Sequence, residues 1–414
     1  MKGRWTIGAQ LSTSHSSRDA LDLDRMVQIV DGVRAAIELD LLVVGFREAP
    51  EIFREFCGPR RPVDEVFLWY NLLSDIDGME DSDLVVNWRG ESSRGWGGWA
   101  GKGAEVQETF RFVCPNNPTA RGKTLRRLRE LLGRYRFAGV FLDKLRFPSP
   151  ANGLDETLSC FCDHCRRAAR GADLDLDAVA KVLERRAVSL DIATAPRGGD
   201  RHGSWLEAIA AANPLLSRFL RFRDDSIARL VEEAVAEAGR LGRKVSLDLF
   251  SPCLAPLVGQ EYRRLSRHCA WAKPMTYRMA RGPAGLRLEI PALVEGVVRH
   301  FNVDEARVVD WAAARVKGFD AAMLKETRDS AVPLAFMREE IETAIRAINP
   351  VPVYFGLEMV SQPGVIDIKP RHVREMVGTG RAAKAEGLIM SWDLMHAPMD
   401  GVRALAGAIQ SRPQ

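Results

Sequence analysis

The sequence predicts a (β/α)8 barrel of the TIM type, an α/β fold, on three observations. Eight short apolar runs alternate with helical patterns along the 414 residues, polar groups collect at the C-terminal ends of those runs, and no low-complexity linker divides the chain. One barrel domain over 1–414 is therefore expected, with an insertion over 74–118 and a cysteine-containing loop over 148–170. The competing open, doubly wound sheet calls for a Gly-rich turn after the first strand. None is there, and Gly95-Trp96-Gly97-Gly98 sits inside the insertion.

The first strand is expected over Trp5–Leu11, followed by a helix over Leu23–Glu38 whose Met26, Ile29, Val30, Val33 and Ile37 share one face. Leu41–Phe46 is the second strand, with a short helix over 48–56 behind it, and Val66–Leu73 is the third. In the insertion, two β-like pieces, Leu84–Trp88 and Phe110–Cys114, flank a Gly- and Trp-rich segment carrying Trp96 and Trp99. Such a segment reads as a loop or hairpin over a pocket. A helix over Thr119–Tyr135 leads to the fourth strand, Gly139–Leu145. Helices over 177–193 and 215–239 bracket the approach to the fifth strand, Lys244–Phe250, and Trp271–Tyr277 is the sixth. Helical stretches over 292–298, 304–317 and 335–348 precede the seventh, Val351–Met359. A helix over 370–385 leads to the eighth, Gly387–Leu394, and a helix over 402–409 closes the chain.

The net charge of +4, from 59 basic and 55 acidic residues, is too slight to point to nucleic acid, and no aromatic-interleaved basic stripe accompanies it. The most basic run, Arg121–Arg136, places Leu125, Leu128, Leu131, Leu132 and Tyr135 at helical spacing, which reads as a helix with a solvated basic face. No apolar stretch is long enough for a signal peptide or a membrane span, so the expectation is a soluble, cytoplasmic protein with no membrane partner. Seven cysteines without a secretion signal favour reduced thiols or metal ligands over a disulfide framework.

Strand C-termini in a barrel converge on one mouth. Standing there are Gln10, Glu48, Trp69 with Tyr70 and Asn71, Asp143 with Lys144 and Arg146, Asp248, Lys273 with Tyr277 and Arg278, Glu358, and Trp392 with Asp393. Carboxylates thus end four of the strands, with aromatics and cations beside them. That set suits a sugar: paired carboxylates for acid, base or nucleophilic work, aromatic faces for the ring, cations and amides for hydroxyls. Asp143 has a plainer alternative as a salt-bridge partner of Arg146, Asp248 as a buried partner of Lys273 or Arg146, and Asp393 as a loop cap. Lys273 has an alternative of its own, as a Schiff-base lysine in a barrel aldolase or lyase. No HxH or HxxxH pair marks a catalytic metal.

Cys160, Cys162 and Cys165 are three thiols within six residues, and Cys114 or the neighbouring His164 would supply a fourth ligand. The spacing admits a structural zinc ion, an iron–sulfur cluster or no metal, and its place after the fourth strand implies a role in fixing that loop. No organic cofactor is expected.

The runs Val113–Pro118, Gly139–Pro148, Cys160–Cys165, Val258–Tyr262 and Lys273–Tyr277 resemble those of poorly characterised glycoside-hydrolase-like TIM-barrel proteins of bacteria and archaea. More distantly, a barrel with cysteines after strand four is similar to the zinc-containing bacterial β-galactosidases. In that family the acid/base is a Glu preceded by Asn at strand four and the nucleophile a Glu at strand seven. Here strand four ends in Leu142-Asp143, without the Asn-Glu pair, while Glu358 fits the strand-seven position. The resemblance implies a glycoside hydrolase acting on a small-molecule or oligosaccharide substrate, with Asp143 and Glu358 as principal carboxylates and Asp248 as a further catalytic candidate. Arg146, Lys273, Tyr277, Trp69, Asn71, Trp392 and Asp393 are the expected substrate contacts. A barrel that binds saccharide without catalysis is the rival from another class.

Overall fold

The computed structural model describes residues 4–13, 22–59, 61–74, 78–93, 111–184, 213–314 and 316–410. Eight parallel strands run as expected: β1 (Thr6–Ser12), β2 (Leu41–Gly45), β3 (Glu65–Asn71), β4 (Gly139–Asp143), β5 (Lys244–Phe250), β6 (Ala272–Met275), β7 (Tyr354–Glu358) and β8 (Gly387–Ser391). They pair in the order β6-β5-β4-β3-β2-β1-β8-β7. A parallel bridge between Ala272 and Val353, with the Ala272 amide donating to the Pro352 carbonyl at 3.0 Å, brings the two outer strands together and all but closes the barrel.

Strand residues alternate between two cores. Leu41, Val43, Phe67, Trp69, Phe141, Trp271 and Ile389 fill the barrel interior, while Leu42, Val44, Leu68, Val140 and Leu142 pack outward against the helices. Inside, Phe141 stacks on Trp271 at 5.2 Å and Trp271 on Tyr354 at 5.3 Å. Gly8 makes room for this packing, because a Cβ there would lie 2.6 Å from Leu41 Cδ1 and collide with Ile389 as well.

Side-chain caps start the helices where the sequence places a polar residue before an apolar stripe. Asp22 caps Leu23–Ala36 through the Arg25 amide, Asn117 caps Pro118–Arg134, and Asn213 caps Pro214–Arg240. The helix Asp163–Gly171, inside the cysteine-containing loop, was not expected, and two further helices also differ from expectation. The helix expected over 292–298 spans Leu286–Phe301 and carries Pro291 within it. That proline removes only the amide that would reach back to the first turn, so the helix tolerates it. A further helix, Ala321–Asp329, starts at an Asp320 cap that sequence reading passed over.

In the insertion, Leu84 bridges Val113 and Ser74 bridges Phe112, antiparallel in both cases, so the two β-like pieces meet only through short bridges. Trp96 and Trp99 lie outside the described residues, as does the second half of the helix expected over 177–193. No helix among the described residues is long and apolar enough to cross a membrane.

Candidate active site

Register brings the mouth residues together. Asn71 pairs with Asp143 across β3 and β4, Leu142 pairs with Leu247, and Asp248 pairs with Lys273 across β5 and β6. Asn71, Asp143, Asp248 and Lys273 therefore form one row along four adjacent strands. Asn71, Asp143 and Lys273 stand two residues beyond the interior residues Trp69, Phe141 and Trp271, and Ser246, two before Asp248, is the register partner of Phe141, so all four face inward at the C-terminal end. Neighbouring strands lie about 4.8 Å apart, which sets Asp143 and Asp248 side by side.

Lys273 is the hub of this row. Fully buried, its Nζ lies 2.9 Å from Asp248 Oδ2 and donates to Gln10 Oε1 at 2.7 Å and Tyr277 OH at 2.8 Å, with Ser391 Oγ at 3.4 Å. Burial pulls its pKa down, but the Asp248 carboxylate and the Tyr277 oxygen outweigh that, and the net shift is upward. Asp248 itself is pushed up to about 8, by burial first and by the neighbouring Asp143 charge, against the pull of Lys273 and Arg146. Burial likewise raises Tyr277 to about 12. Several polar atoms of this layer are buried without a partner: Asp248 Oδ1, Gln10 Nε2 and both amide atoms of Asn71. Orphaned donors and acceptors in a polar mouth are what a hydroxyl-rich ligand would satisfy.

Asp143 sits in a different setting. Its Oδ2 accepts from Trp69 Nε1 at 2.9 Å and its Oδ1 from the Lys144 amide at 2.5 Å, so both carboxylate oxygens are hydrogen-bonded. The Lys144 ammonium lies over the Phe46 ring and the Arg146 guanidinium over Phe250, 4.5 Å from the centroid in both cases. Arg146 also donates to the Phe147 carbonyl at 3.0 Å. Half-buried Trp392, 5.7 Å from Tyr277, presents an aromatic surface at the mouth.

Glu358 is at the mouth, but its carboxylate is committed. The amides of Arg278 (3.0 Å), Met279 (3.0 and 3.1 Å) and Ala280 (2.7 Å) all donate to it, so it anchors the loop that follows β6. Burial raises its pKa to about 7 against those donors. Asp393 acts in the loop-capping manner that was its alternative reading: its Oδ1 accepts from the Ser12 and Met395 amides, both at 3.1 Å. Glu48 turns outward instead, to Arg127, Arg134 and Tyr135.

Sequence reading missed two more carboxylates of this kind. Glu289 accepts from Ser149 Oγ and the Ala151 and Ala284 amides, joining the loops after β4 and β6. Glu340 accepts from Ser251 Oγ and the Cys253 amide in the loop after β5. Their signal was available: each is a lone acid on the apolar face of its helix, fully or almost fully buried.

The cysteine expectation meets a defined cluster. The sulfurs of Cys114, Cys160, Cys162 and Cys165 all lie within 4.8 Å of one another, with Cys114 at 3.5 Å from Cys165 and 3.4 Å from Cys162. A tetrahedral zinc with ~2.3 Å bonds sets sulfurs about 3.8 Å apart, close to this spacing. Backbone and side-chain N–H groups aim at the sulfurs: Val86 at Cys160, the Asn116 amide at Cys114 and Asn116 Nδ2 at Cys165. Such donors stabilise thiolates and form the usual outer layer of a thiolate metal site. His164 pairs with Arg167 instead, so the fourth sulfur is that of Cys114.

No protein-family model and no curated protein sequence matches the chain. Solved structures do. The PgaB (BpsB) glycoside hydrolase domain from Bordetella bronchiseptica matches at a TM-score of 0.54 and 10% identity, over 95% of each chain. The β-galactosidase from Bacillus circulans sp. alkalophilus matches at 0.52 and 13%, over 94% of this chain and 50% of that one. The catalytic domain of β-amylase from Paenibacillus polymyxa matches at 0.51 and 8%, over 96% and 94%. The barrel is thus a fold shared with glycoside hydrolases.

Proposed function

We propose that this protein is a glycoside hydrolase whose working carboxylates are Asp143 and Asp248. The observation that carries the reading is their placement as neighbours in one inward row with contrasting surroundings. A glycosidase needs one carboxyl ionised and one protonated. Asp143, held by Trp69 and the Lys144 amide, is the nucleophile or base. Asp248, raised to about 8, carries its proton at neutral pH and is the acid. Placement on adjacent strands suits a close-set pair of the retaining kind, and a retained anomeric configuration in the product is the outcome this reading expects.

In this mechanism Asp143 attacks the anomeric carbon while Asp248 protonates the departing oxygen. Asp248, now ionised, then deprotonates the water that releases the sugar. Lys273 and Tyr277 hold Asp248 in place, and Asn71 and Gln10 offer their orphaned amide atoms to ring hydroxyls. Trp392 stacks on a sugar face, and Arg146 tunes the charge around Asp248. Glu358 and Asp393 are positioning residues that fix the loops. A Schiff-base role for Lys273 is opposed by its raised pKa, since imine formation needs the neutral amine. The four cysteines fit a structural zinc that would tie the insertion to the loop after β4.

The test is turnover of a panel of aryl glycosides by the wild-type protein and by the Asp143→Asn and Asp248→Asn variants. Asp143→Asn should abolish hydrolysis. Asp248→Asn should slow release of poor leaving groups by about 10²–10⁴-fold, while an activated aryl glycoside should give a burst of released phenol followed by slow turnover, because the same residue activates the second-step water. Full activity in both variants would place the chemistry elsewhere, and saccharide binding without any turnover would make the barrel a binding protein.

A further inference from the structure

A second cleft, of about 520 Å³, opens between the loop after β6 and the hairpin after β7. Arg281, Arg287, Ser361, Gln362 and Asp367 are among the residues that line it. It adjoins the mouth: the Met279 and Ala280 amides are those that Glu358 anchors, and the next amide, of Arg281, donates to the Val365 carbonyl at 3.0 Å. The hairpin is held by a short antiparallel ladder, Ser361–Gln362 against Ile366–Asp367.

The charge of this cleft is unbalanced. The exposed Arg281 side chain has no hydrogen-bonding or ion-pair partner among the described residues. Arg287 has only two long contacts to carbonyl oxygens, Met279 at 3.5 Å and Asp329 at 3.3 Å, and its Nε is buried with no partner at all. The cleft's carboxylate, Asp367, is taken by Lys369 at 2.8 Å. Burial, and then Arg281, push the Arg287 pKa down, while the buried Glu358 carboxylate draws it the other way without reversing the shift. Paired arginines present a planar fork of donors that matches carboxylate, sulfate or phosphate oxygens.

We infer that this cleft receives the anionic group of an acidic saccharide whose neighbouring unit lies at the Asp143–Asp248 row. The inference rests on the glycosidase reading for the identity of the ligand as a sugar, and it names the substrate class as charged rather than neutral. Arg281 and Arg287 would grip the anion, with Ser361 and Gln362 at the cleft's edge.

The experiment is calorimetric titration of the Asp143→Asn protein, which cannot turn the ligand over under the proposed mechanism. The probes are an oligogalacturonate trimer, a chondroitin sulfate tetrasaccharide, a neutral maltotriose and inorganic phosphate. At least one acidic saccharide should bind more tightly than maltotriose and phosphate. Its affinity should fall about tenfold or more in Arg281→Ala and further in Arg281→Ala/Arg287→Ala, and should weaken as salt rises. Arg287→Lys should restore part of the loss. Arg281 is exposed, so its single substitution leaves the fold intact and keeps the test decisive if the double variant unfolds. Equal binding of acidic and neutral sugars, no acidic ligand bound, phosphate binding as tightly as the saccharides, or indifference to Arg281→Ala would each overturn the inference. Hydrolysis of neutral glycosides alongside such a result would leave the catalytic reading standing. Arginine-dependent binding without any hydrolysis in the wild-type protein would do the reverse.

Discussion

Replacing Asp248 by Asn removes a titration that the fold makes costly. The folded carboxyl is held at about 8, against about 3.9 in an unfolded chain. Between those values the folded state keeps a proton that the unfolded state has released, so stability falls as pH rises. The limiting slope is ~1.4 kcal/mol per pH unit, and between about pH 5 and about pH 8 it accumulates to on the order of 3 kcal/mol. Lys273 adds no slope in this window, because a lysine with a raised folded pKa contributes stability at all pH values below its unfolded value of about 10.4. Glu358 and Asp393, both raised to about 7, act in the same direction as Asp248 but remain in both proteins and cancel in the difference. Urea unfolding at a series of pH values should therefore show the wild type losing on the order of 3 kcal/mol more than Asp248→Asn across that span. Parallel curves would mean that Asp248 is ionised throughout, as a permanent ion pair with Lys273. The assignment of Asp248 as the acid would then be wrong.

Glu358→Gln leaves one acceptor oxygen facing three amides and turns an NH2 toward them, so it should cost about 1–3 kcal/mol in unfolding free energy while largely sparing hydrolysis of an activated aryl glycoside. Amide exchange over 278–281 should rise in that variant, and unchanged exchange would count against the anchoring role. Purified protein should carry close to one zinc per chain by elemental analysis, and Cys162→Ser should lower both metal content and melting temperature. Protein purified without chelator and free of zinc would remove the metal assignment. Gly8→Ala should destabilise by about 1–3 kcal/mol in the same urea assay, because its Cβ would collide with Leu41 and Ile389 inside the barrel.

The eight strands were legible because each is an apolar run flanked by turn or helix signals, and the barrel follows from their number and alternation. The row at the mouth was half legible. Asp143, Asp248 and Lys273 stand at strand ends in the sequence, and the Lys273–Asp248 contact was already the alternative reading of Asp248, but that Asp143 stands directly beside Asp248 depends on how β4 and β5 are aligned. Glu358 shows the limit most clearly. Its place at the end of β7 is the same whether the carboxylate is free or spent, and the amides that occupy it come from residues about 80 positions away. Helix 321–329 was missed because its apolar face is narrow, with only Met323, Leu324 and Thr327 buried. The fourth cysteine was found as one of two choices, since separation along the chain alone does not distinguish Cys114 from His164.

Below the row, the stack of Phe141, Trp271 and Tyr354 fills the bore of the barrel, and Lys273 reaches from β6 to Gln10 on β1 and Ser391 on β8. The bore is a blind end. A molecule that enters at the mouth has to leave by the mouth, so arrival and departure share one doorway. The loops that Glu289, Glu340 and Glu358 hold in position frame that doorway, so its width and shape are set by three buried carboxylates and not by the strands themselves.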